Sequence, residues 1–152
     1  METSIFNFVF ADDAPDKRDD TLILFEEIRA GKHNVFTSTT VTEELLREQT
    51  DKKNKMLDLI TEYHITVIPT TDEMQILADR YVSEQMISAR YQTDALHIAV
   101  ASVANLDIIV SWNFKHIVRR KTKLLANAVN ALAGYQNIDI YSPSEVIENE
   151  NE

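Results

Sequence analysis

Apolar side chains recur with helical spacing in several stretches of the chain, and short β-branched runs separate these stretches. In one of them, Leu24, Phe25 and Ile28 share one side of a helix whose pattern stops at Gly31, a residue suited to a left-handed C-terminal cap. This periodicity predicts helices over residues 17–30, 41–49, 53–63, 72–86, 93–104 and 123–133.

Short runs rich in Val and Ile alternate with these helices and predict strands at residues 34–38, 65–68, 106–111 and 138–141. No long Pro/Gly/Ser-rich linker interrupts the alternation, so the sequence predicts a single α/β domain with a parallel sheet. The domain is expected to span residues 1–147. The acidic tail at 148–152 is expected to be disordered.

Two of the predicted elements are apolar on nearly every side. Residues 93–104 consist mainly of Ala, Val, Ile and Leu, which predicts a helix that is buried all round. Residues 106–111 form an uninterrupted run, as expected for a strand that is covered on both faces of a parallel sheet. The centre of the fold is therefore expected at this helix and strand.

The composition excludes several classes of site. The chain has 152 residues and no cysteine, which excludes disulfides, thiolate zinc sites, iron–sulfur clusters and cysteine nucleophiles. It has only two glycines, Gly31 and Gly134, whereas a Walker loop, a dinucleotide fingerprint and a nucleophile elbow each need closely spaced glycines. The absence of cysteine fits a reducing compartment.

Hydropathy and charge limit where the protein is expected to act and what it is expected to bind. No apolar run approaches the roughly 20 residues that span a bilayer, and the first residues do not resemble a signal peptide, so a cytoplasmic protein with no membrane partner is predicted. With 15 basic and 25 acidic side chains, the formal net charge is −10. Broad coating of nucleic acid is therefore excluded, and any contact with RNA has to be local.

Asp94 is the most informative polar residue, because it lies at the start of the most apolar predicted helix. A carboxylate in a first helical turn also complements the helix dipole, so a purely structural capping role stays open. The buried strand that follows ends at Ser111, and Asn113 comes directly after it. Because α/β proteins carry their sites at the carboxyl ends of parallel strands, these residues are interpreted as candidates for one site.

Two glutamates fit the same edge of the sheet. Glu2 lies just before the apolar pair Ile5 and Phe6, and Glu44 lies at the start of the helix after the first predicted strand. Glu43 and Glu44 point about 100° apart on a helix, so only one can face the edge, and Glu44 is the choice. For Glu43 or Glu44 alone, a solvated position in the first turn is the structural alternative.

The resulting set, formed by Glu2, Glu44, Asp94 and Asn113, offers only oxygen ligands. Such ligands suit Mg²⁺ or Mn²⁺, which keep several waters and bridge to phosphate oxygens. The four histidines show neither an HExxH motif nor paired helical spacing, so a zinc hydrolase is not expected. His97, three residues after Asp94, is expected to be a packed, hydrogen-bonded histidine of the core.

Several segments of the sequence together resemble the motifs of a known protein family. They are Glu2-Thr3-Ser4-Ile5-Phe6, Thr37-Ser38 with Glu44-Leu45, Asp94-Ala95-Leu96-His97-Ile98-Ala99 and Ile109-Val110-Ser111-Trp112-Asn113-Phe114-Lys115-His116. In this order they resemble the PIN-domain family, which includes the VapC-like toxins of toxin–antitoxin modules. The resemblance implies a three-layer α/β/α sandwich with a central, mainly parallel sheet. It also implies a Mg²⁺- or Mn²⁺-dependent endoribonuclease with an RNA substrate, a cognate antitoxin and a homodimeric state.

The resemblance also assigns roles to individual residues. It places metal ligands at Glu2, Glu44 and Asp94, which with Asn113 would form the catalytic set. Asn113 departs from the family, which has an acid there. Ser111 and Ser4 are supporting residues, and the basic segment after the last motif is expected to bind RNA through Lys115, Arg119, Arg120 and Lys121.

The first residues depart from the family as well. Family members have several apolar residues before the first acid, and these form the central strand, whereas only Met1 precedes Glu2 here. Either the natural chain starts further upstream, or the first strand is built from residues 3–8. With Asn113 and this short start, a catalytically impaired PIN-like domain that acts as a binding or dimerisation module is the alternative hypothesis.

Overall fold

The computed structural model describes residues 1–148. The helices are α1 (Thr3–Phe8), α2 (Pro15–Arg29), α3 (Thr39–Leu46), α4 (Lys52–Glu62), α5 (Asp72–Ser83), α6 (Gln92–Val103), α7 (Arg120–Ala133) and α8 (Pro143–Val146), with a 3-10 turn at Ala89–Tyr91. The strands are β1 (Phe36–Ser38), β2 (Thr66–Ile68), β3 (Ile108–Val110) and β4 (Asp139–Tyr141). The chain is therefore an α/β protein. Residues 149–152 of the predicted tail lie outside the described residues.

The strands form two small parallel sheets in the described part of the chain. β1 pairs with β2, and β3 pairs with β4. The first two residues lie between these sheets, because the Met1 nitrogen donates to the Phe36 carbonyl at 2.7 Å and the Glu2 nitrogen donates to the Val110 carbonyl at 3.3 Å. The backbone of Met1 and Glu2 therefore connects β1, at its first residue Phe36, to β3, at its last residue Val110.

The six predicted helices are all present, with ends that differ by a few residues. Gly134 ends α7 in the left-handed conformation at φ +87°, as its position in the pattern predicted. The apolar pattern predicts no helix at α8, although Ser142 and Glu145 form a capping box there, a spacing that marks helix starts.

The alternative of a strand at residues 3–8 is wrong, because these residues form α1. Ile5 and Phe6 are consecutive and both fully buried, which a helix packed among other elements allows but a strand with one solvent face does not. The Glu2 carboxylate accepts a hydrogen bond from the Ser4 backbone nitrogen and so caps the first turn.

The expectation of a β3 strand covered on both faces is also wrong at one position. Ile109 is 4% exposed, as expected, but Ile108 is 40% exposed. Successive side chains of a strand point to opposite faces, and Ile108 borders an open space between the two sheets.

The core consists of two apolar clusters that meet at the sheets. One cluster is built mainly from α5, α6, α7, β3 and β4, and the other mainly from α1 to α4. Ala95, Ile98 and Ala99 of α6 are fully buried, which agrees with the all-round apolar pattern of that helix. In residues 1–148, no helix combines the length and apolar character that crossing a membrane requires.

Tyr81 provides a test of this packing. Its hydroxyl is fully buried, donates to Asn130 Oδ1 and lies 3.2 Å from Ser102 Oγ, and burial raises the pKa of Tyr81 to about 12. We predict that Tyr81→Phe lowers the free energy of unfolding by about 1–3 kcal/mol, because a buried acceptor loses its donor. Tyr135→Phe, which removes a bond to Glu73 near the surface, should change it by less than about 0.5 kcal/mol in urea unfolding. Equal losses in the two variants would contradict this account.

Candidate functional site

Acidic side chains from three separate segments converge where β1 and β3 end. Glu2 precedes α1, Glu44 lies on α3 directly after β1, and Asp94 lies in the first turn of α6. Burial raises the pKa of Asp94, and the negative charges of Glu2 and Glu44 raise it further. Contacts join the three segments, because Thr3, next to Glu2, donates to Glu44, and His97, one turn after Asp94 on α6, also contacts Glu44.

Glu2 is held by hydroxyl groups from both sides of the site. Its Oε1 accepts hydrogen bonds from Ser111 Oγ at 2.8 Å and from the nitrogen and the hydroxyl of Ser4. The same serines also accept bonds from the backbone after β3, Ser4 Oγ from Trp112 and Ser111 Oγ from Asn113. Glu2 is only 6% exposed, so these contacts replace the water that a carboxylate needs.

Glu44 is held by a histidine and a threonine. His97 Nε2 lies 2.6 Å from Glu44 Oε1, and Thr3 Oγ1 donates to the same oxygen at 2.8 Å. Burial by itself raises the pKa of Glu44, but the contacts with His97 and Thr3 outweigh it and lower the pKa below its ordinary value. His97 is buried and hydrogen-bonded, as expected of a core histidine, and its role is to fix Glu44.

Asp94 differs from these two residues because no described residue donates a hydrogen bond to its carboxylate. It is half-buried, and burial is the main cause of its raised pKa. The nearby charges of His97 and His116 act in the opposite direction, yet they do not cancel the effect of burial and of the two glutamates. The site therefore contains one partly desolvated carboxylate with no donor of its own.

The other predicted residues have local roles in this arrangement. Asn113 Oδ1 accepts the His116 backbone nitrogen at 3.0 Å, so this oxygen caps the turn after β3. Ser111, rather than Asn113, contacts an acidic residue of the site. Sequence reasoning had not identified Thr3 as a partner of Glu44, and its place between Glu2 and Ser4 was the available signal.

The predicted RNA-binding residues are on the surface beside the site. Lys115, Arg119, Arg120 and Lys121 are exposed, and Arg119 donates to the Lys115 carbonyl. His116 links this segment to the carboxylates, because its charge lowers the pKa of Asp94 against the effect of burial.

The His116 ring also stacks on Tyr91, with 3.9 Å between the ring centroids. Sequence reasoning missed Tyr91, which precedes α6 in the short 3-10 turn. A contact between residues 91 and 116 leaves no periodic signal in the sequence.

The chemistry of these donors fits a hard divalent cation. Each hydrogen bond to Glu2 and Glu44 reaches Oε1, so Oε2 of both, like the Asp94 carboxylate, has no hydrogen-bond partner among the described residues. Within residues 1–148, no three acidic or histidine side chains stand close enough to ligate one ion directly. Mg²⁺ and Mn²⁺ fit such a spacing through their own waters, which they retain in most protein sites.

Comparisons of the chain with protein-family models, with curated proteins and with solved structures found no match. The resemblance to the PIN-domain family therefore depends on the sequence segments quoted above. The functional argument starts from the carboxylates that these segments bring together.

Asp94 makes the stability of the metal-free chain depend on pH. A raised pKa in the folded state means that Asp94 favours folding below its ordinary pKa and disfavours folding as pH rises through the folded value. We predict that Asp94→Asn raises the free energy of unfolding at pH 7 in a chelator, by a small amount because solvent screens a half-exposed group. The gain should disappear near pH 3, where the carboxyl group is protonated in both states.

Asp16→Asn is the matched control, because Asp16 is an exposed carboxylate in the first turn of α2. This substitution should lower the free energy of unfolding at pH 7 by about 0.3–1 kcal/mol through loss of the favourable interaction with the helix dipole. Guanidinium unfolding at both pH values measures the two differences. A loss of stability in Asp94→Asn at pH 7 would show that its carboxylate is only a capping charge.

Proposed function

We propose that this chain is a PIN-type endoribonuclease that uses Mg²⁺ or Mn²⁺ to hydrolyse RNA phosphodiester bonds. The observation that carries the proposal is the convergence of Glu2, Glu44 and Asp94 from separate segments at the carboxyl ends of parallel strands. The proposal includes the family's three-layer α/β/α sandwich. It further includes a cytoplasmic homodimer that is the toxin of a toxin–antitoxin module and has a cognate antitoxin.

In this proposal the oxygens without hydrogen-bond partners on Glu2, Glu44 and Asp94 hold the ion, in part through the waters that the ion retains. When bound there, the divalent ion lowers the pKa of a water molecule and neutralises charge on the phosphate. His97 and Thr3 keep the Glu44 carboxylate in place, which limits the reorganisation that binding requires.

Asp94 is the residue that gains most from a cation. Its carboxylate is desolvated, lacks a donor and is repelled by two neighbouring carboxylates, as its raised pKa reports. A positive ion placed between the three carboxylates offsets these unfavourable contributions, because its charge attracts each of them. The arrangement therefore supports a cation site better than a capping role alone.

The basic segment at residues 115–121 supplies the local contact with RNA. Lys115, Arg119, Arg120 and Lys121 place four exposed cations in seven residues. They offset the overall charge of −10 next to the carboxylates and provide donors for phosphate oxygens.

The metal proposal is tested by titration calorimetry with Mn²⁺. We predict that the wild-type chain binds Mn²⁺ and that Asp94→Asn weakens binding by at least about 10-fold, since one ligand loses its charge. Asp72→Asn, in the first turn of α5, should bind like the wild type. Cleavage of a single-stranded RNA in Mn²⁺ should fall by at least about 100-fold in Asp94→Asn and Glu44→Gln.

Two other outcomes are informative. Negligible Mn²⁺ binding in both wild type and Asp94→Asn would refute the nuclease proposal. Binding of Mn²⁺ and RNA without cleavage would instead support the impaired PIN-like module, which Asn113 at the family's fourth acidic position favours.

The contribution of the basic segment is tested by salt dependence. We predict that Arg120→Ala and Lys121→Ala each weaken RNA binding and reduce the slope of log affinity against log salt by about 0.7, the value for one contact with a single strand. Lys55→Ala, an exposed lysine on α4, is the control and should leave the slope unchanged. An unchanged slope in all three variants would place the RNA elsewhere on the surface.

A further inference from the structure

Three aromatic rings lie together beside the candidate site, around the turn that follows β3. The Trp112 ring contacts the Phe8 ring with 5.7 Å between the centroids and the Phe114 ring with 6.1 Å between the centroids. Trp112 is 6% exposed, whereas Phe114 is 46% exposed. This aromatic cluster of Phe8, Trp112 and Phe114 therefore has a buried centre and presents one ring to the solvent.

The position of Phe114 is fixed by its surroundings. Trp112 Nε1 donates to Thr21 Oγ1 at 2.8 Å, and the Trp112 backbone nitrogen donates to Ser4 Oγ at 2.8 Å. The Phe114 nitrogen donates to the Trp112 carbonyl at 3.0 Å, and the Asn113 side chain caps the same turn. An exposed ring that is already held in one place loses little conformational entropy when a ligand packs on it.

Lys17, in the first turn of α2, places its ammonium group over the aromatic cluster. Lys17 Nζ lies 5.3 Å from the ring centroid of Phe8, 5.6 Å from that of Trp112 and 5.1 Å from that of Phe114. The rings stabilise this cation by cation–π attraction. Within residues 1–148 the ammonium has no hydrogen-bond or ion-pair partner, so its N–H donors can contact an anionic ligand.

The aromatic cluster is next to the residues that hold Glu2. Ser111 Oγ donates to Glu2 Oε1, and Ser4 Oγ, which contacts the same oxygen, accepts from the Trp112 nitrogen. Three residues of extended chain span at most about 11 Å, so the backbone of Phe114 lies within that distance of Ser111. An RNA strand with one phosphate at the carboxylates therefore has a neighbouring base within reach of the Phe114 ring.

We propose that Phe114 is a stacking platform for one unpaired base of the RNA, next to the phosphate that is cleaved, and that Lys17 contacts a phosphate of the same strand. This proposal rests on the proposed function. Aromatic side chains bind single-stranded RNA by stacking on its bases, and every base offers a π-face for this contact. Charge favours RNA over an apolar protein segment, because Lys17 contacts the ring and the basic segment at residues 115–121 begins directly after it.

RNA binding in a chelator tests the platform separately from the metal and from cleavage. Fluorescence anisotropy measures the affinity of a labelled single strand of about eight nucleotides. We predict that Phe114→Ala weakens binding by at least about 5-fold through the loss of stacking, and that Phe114→Trp binds at least as tightly as the wild type. Leu132→Ala removes an exposed apolar side chain at the far end of α7 and should bind like the wild type.

A series of RNA strands that each lack one base locates the stacked nucleotide. In the wild type, removal of the base at one position should weaken binding by at least about 5-fold, and this effect should disappear in Phe114→Ala. An RNA duplex of the same sequence should bind both proteins equally, because its bases are not available for stacking. Lys17→Met should reduce the slope of log affinity against log salt by about 0.7, whereas Phe114→Ala should leave the slope unchanged.

Three results would overturn the proposal. They are equal affinity of the wild type and Phe114→Ala for the single strand, an equal loss of duplex binding in Phe114→Ala, and an unchanged salt slope in Lys17→Met. Equal affinity together with normal Mn²⁺ binding and cleavage would refute the platform alone and favour a protein segment as the occupant of this surface. Negligible Mn²⁺ binding with RNA binding that depends on Phe114 would refute only the nuclease.

Discussion

The candidate site depends on the two backbone bonds by which the first residues join the sheets. The Met1 nitrogen bonds to Phe36 at the edge of one sheet, and the Glu2 nitrogen bonds to Val110 at the edge of the other. A backbone fixed from both sides leaves the Glu2 side chain few conformations. Its carboxylate therefore reaches Ser111 at a small cost in entropy, and β1 is connected to β3.

Bringing carboxylates together at this place costs electrostatic free energy. The chain offsets part of the cost with donors, because serines contact Glu2 and His97 contacts Glu44. Asp94 receives no such donor, and burial together with its acidic neighbours raises its pKa. A charge that is kept at a cost to stability is typical of functional sites, where a ligand supplies the missing compensation.

Local patterns predicted the helices well, because apolar periodicity and caps such as Gly134 depend only on residues that are close together in the sequence. They also placed Asp94 at the start of a buried helix. They did not predict α1, because a side-chain cap by Glu2 outweighs the strand-like run after it. Nor could they predict that His97 contacts Glu44 or that an open space borders Ile108, since both depend on packing between segments distant in sequence.

Asn113 bears on how many ions the proposed site would hold. Its oxygen accepts the His116 backbone nitrogen and adds no charge, so the carboxylates of the site are those of Glu2, Glu44 and Asp94. One divalent ion reduces the sum of their charges from −3 to −1, whereas two would leave +1 in a partly buried place. A fourth acid would also raise the repulsion that Asp94 already experiences. Under the proposed function, the charge balance therefore favours one ion at this site.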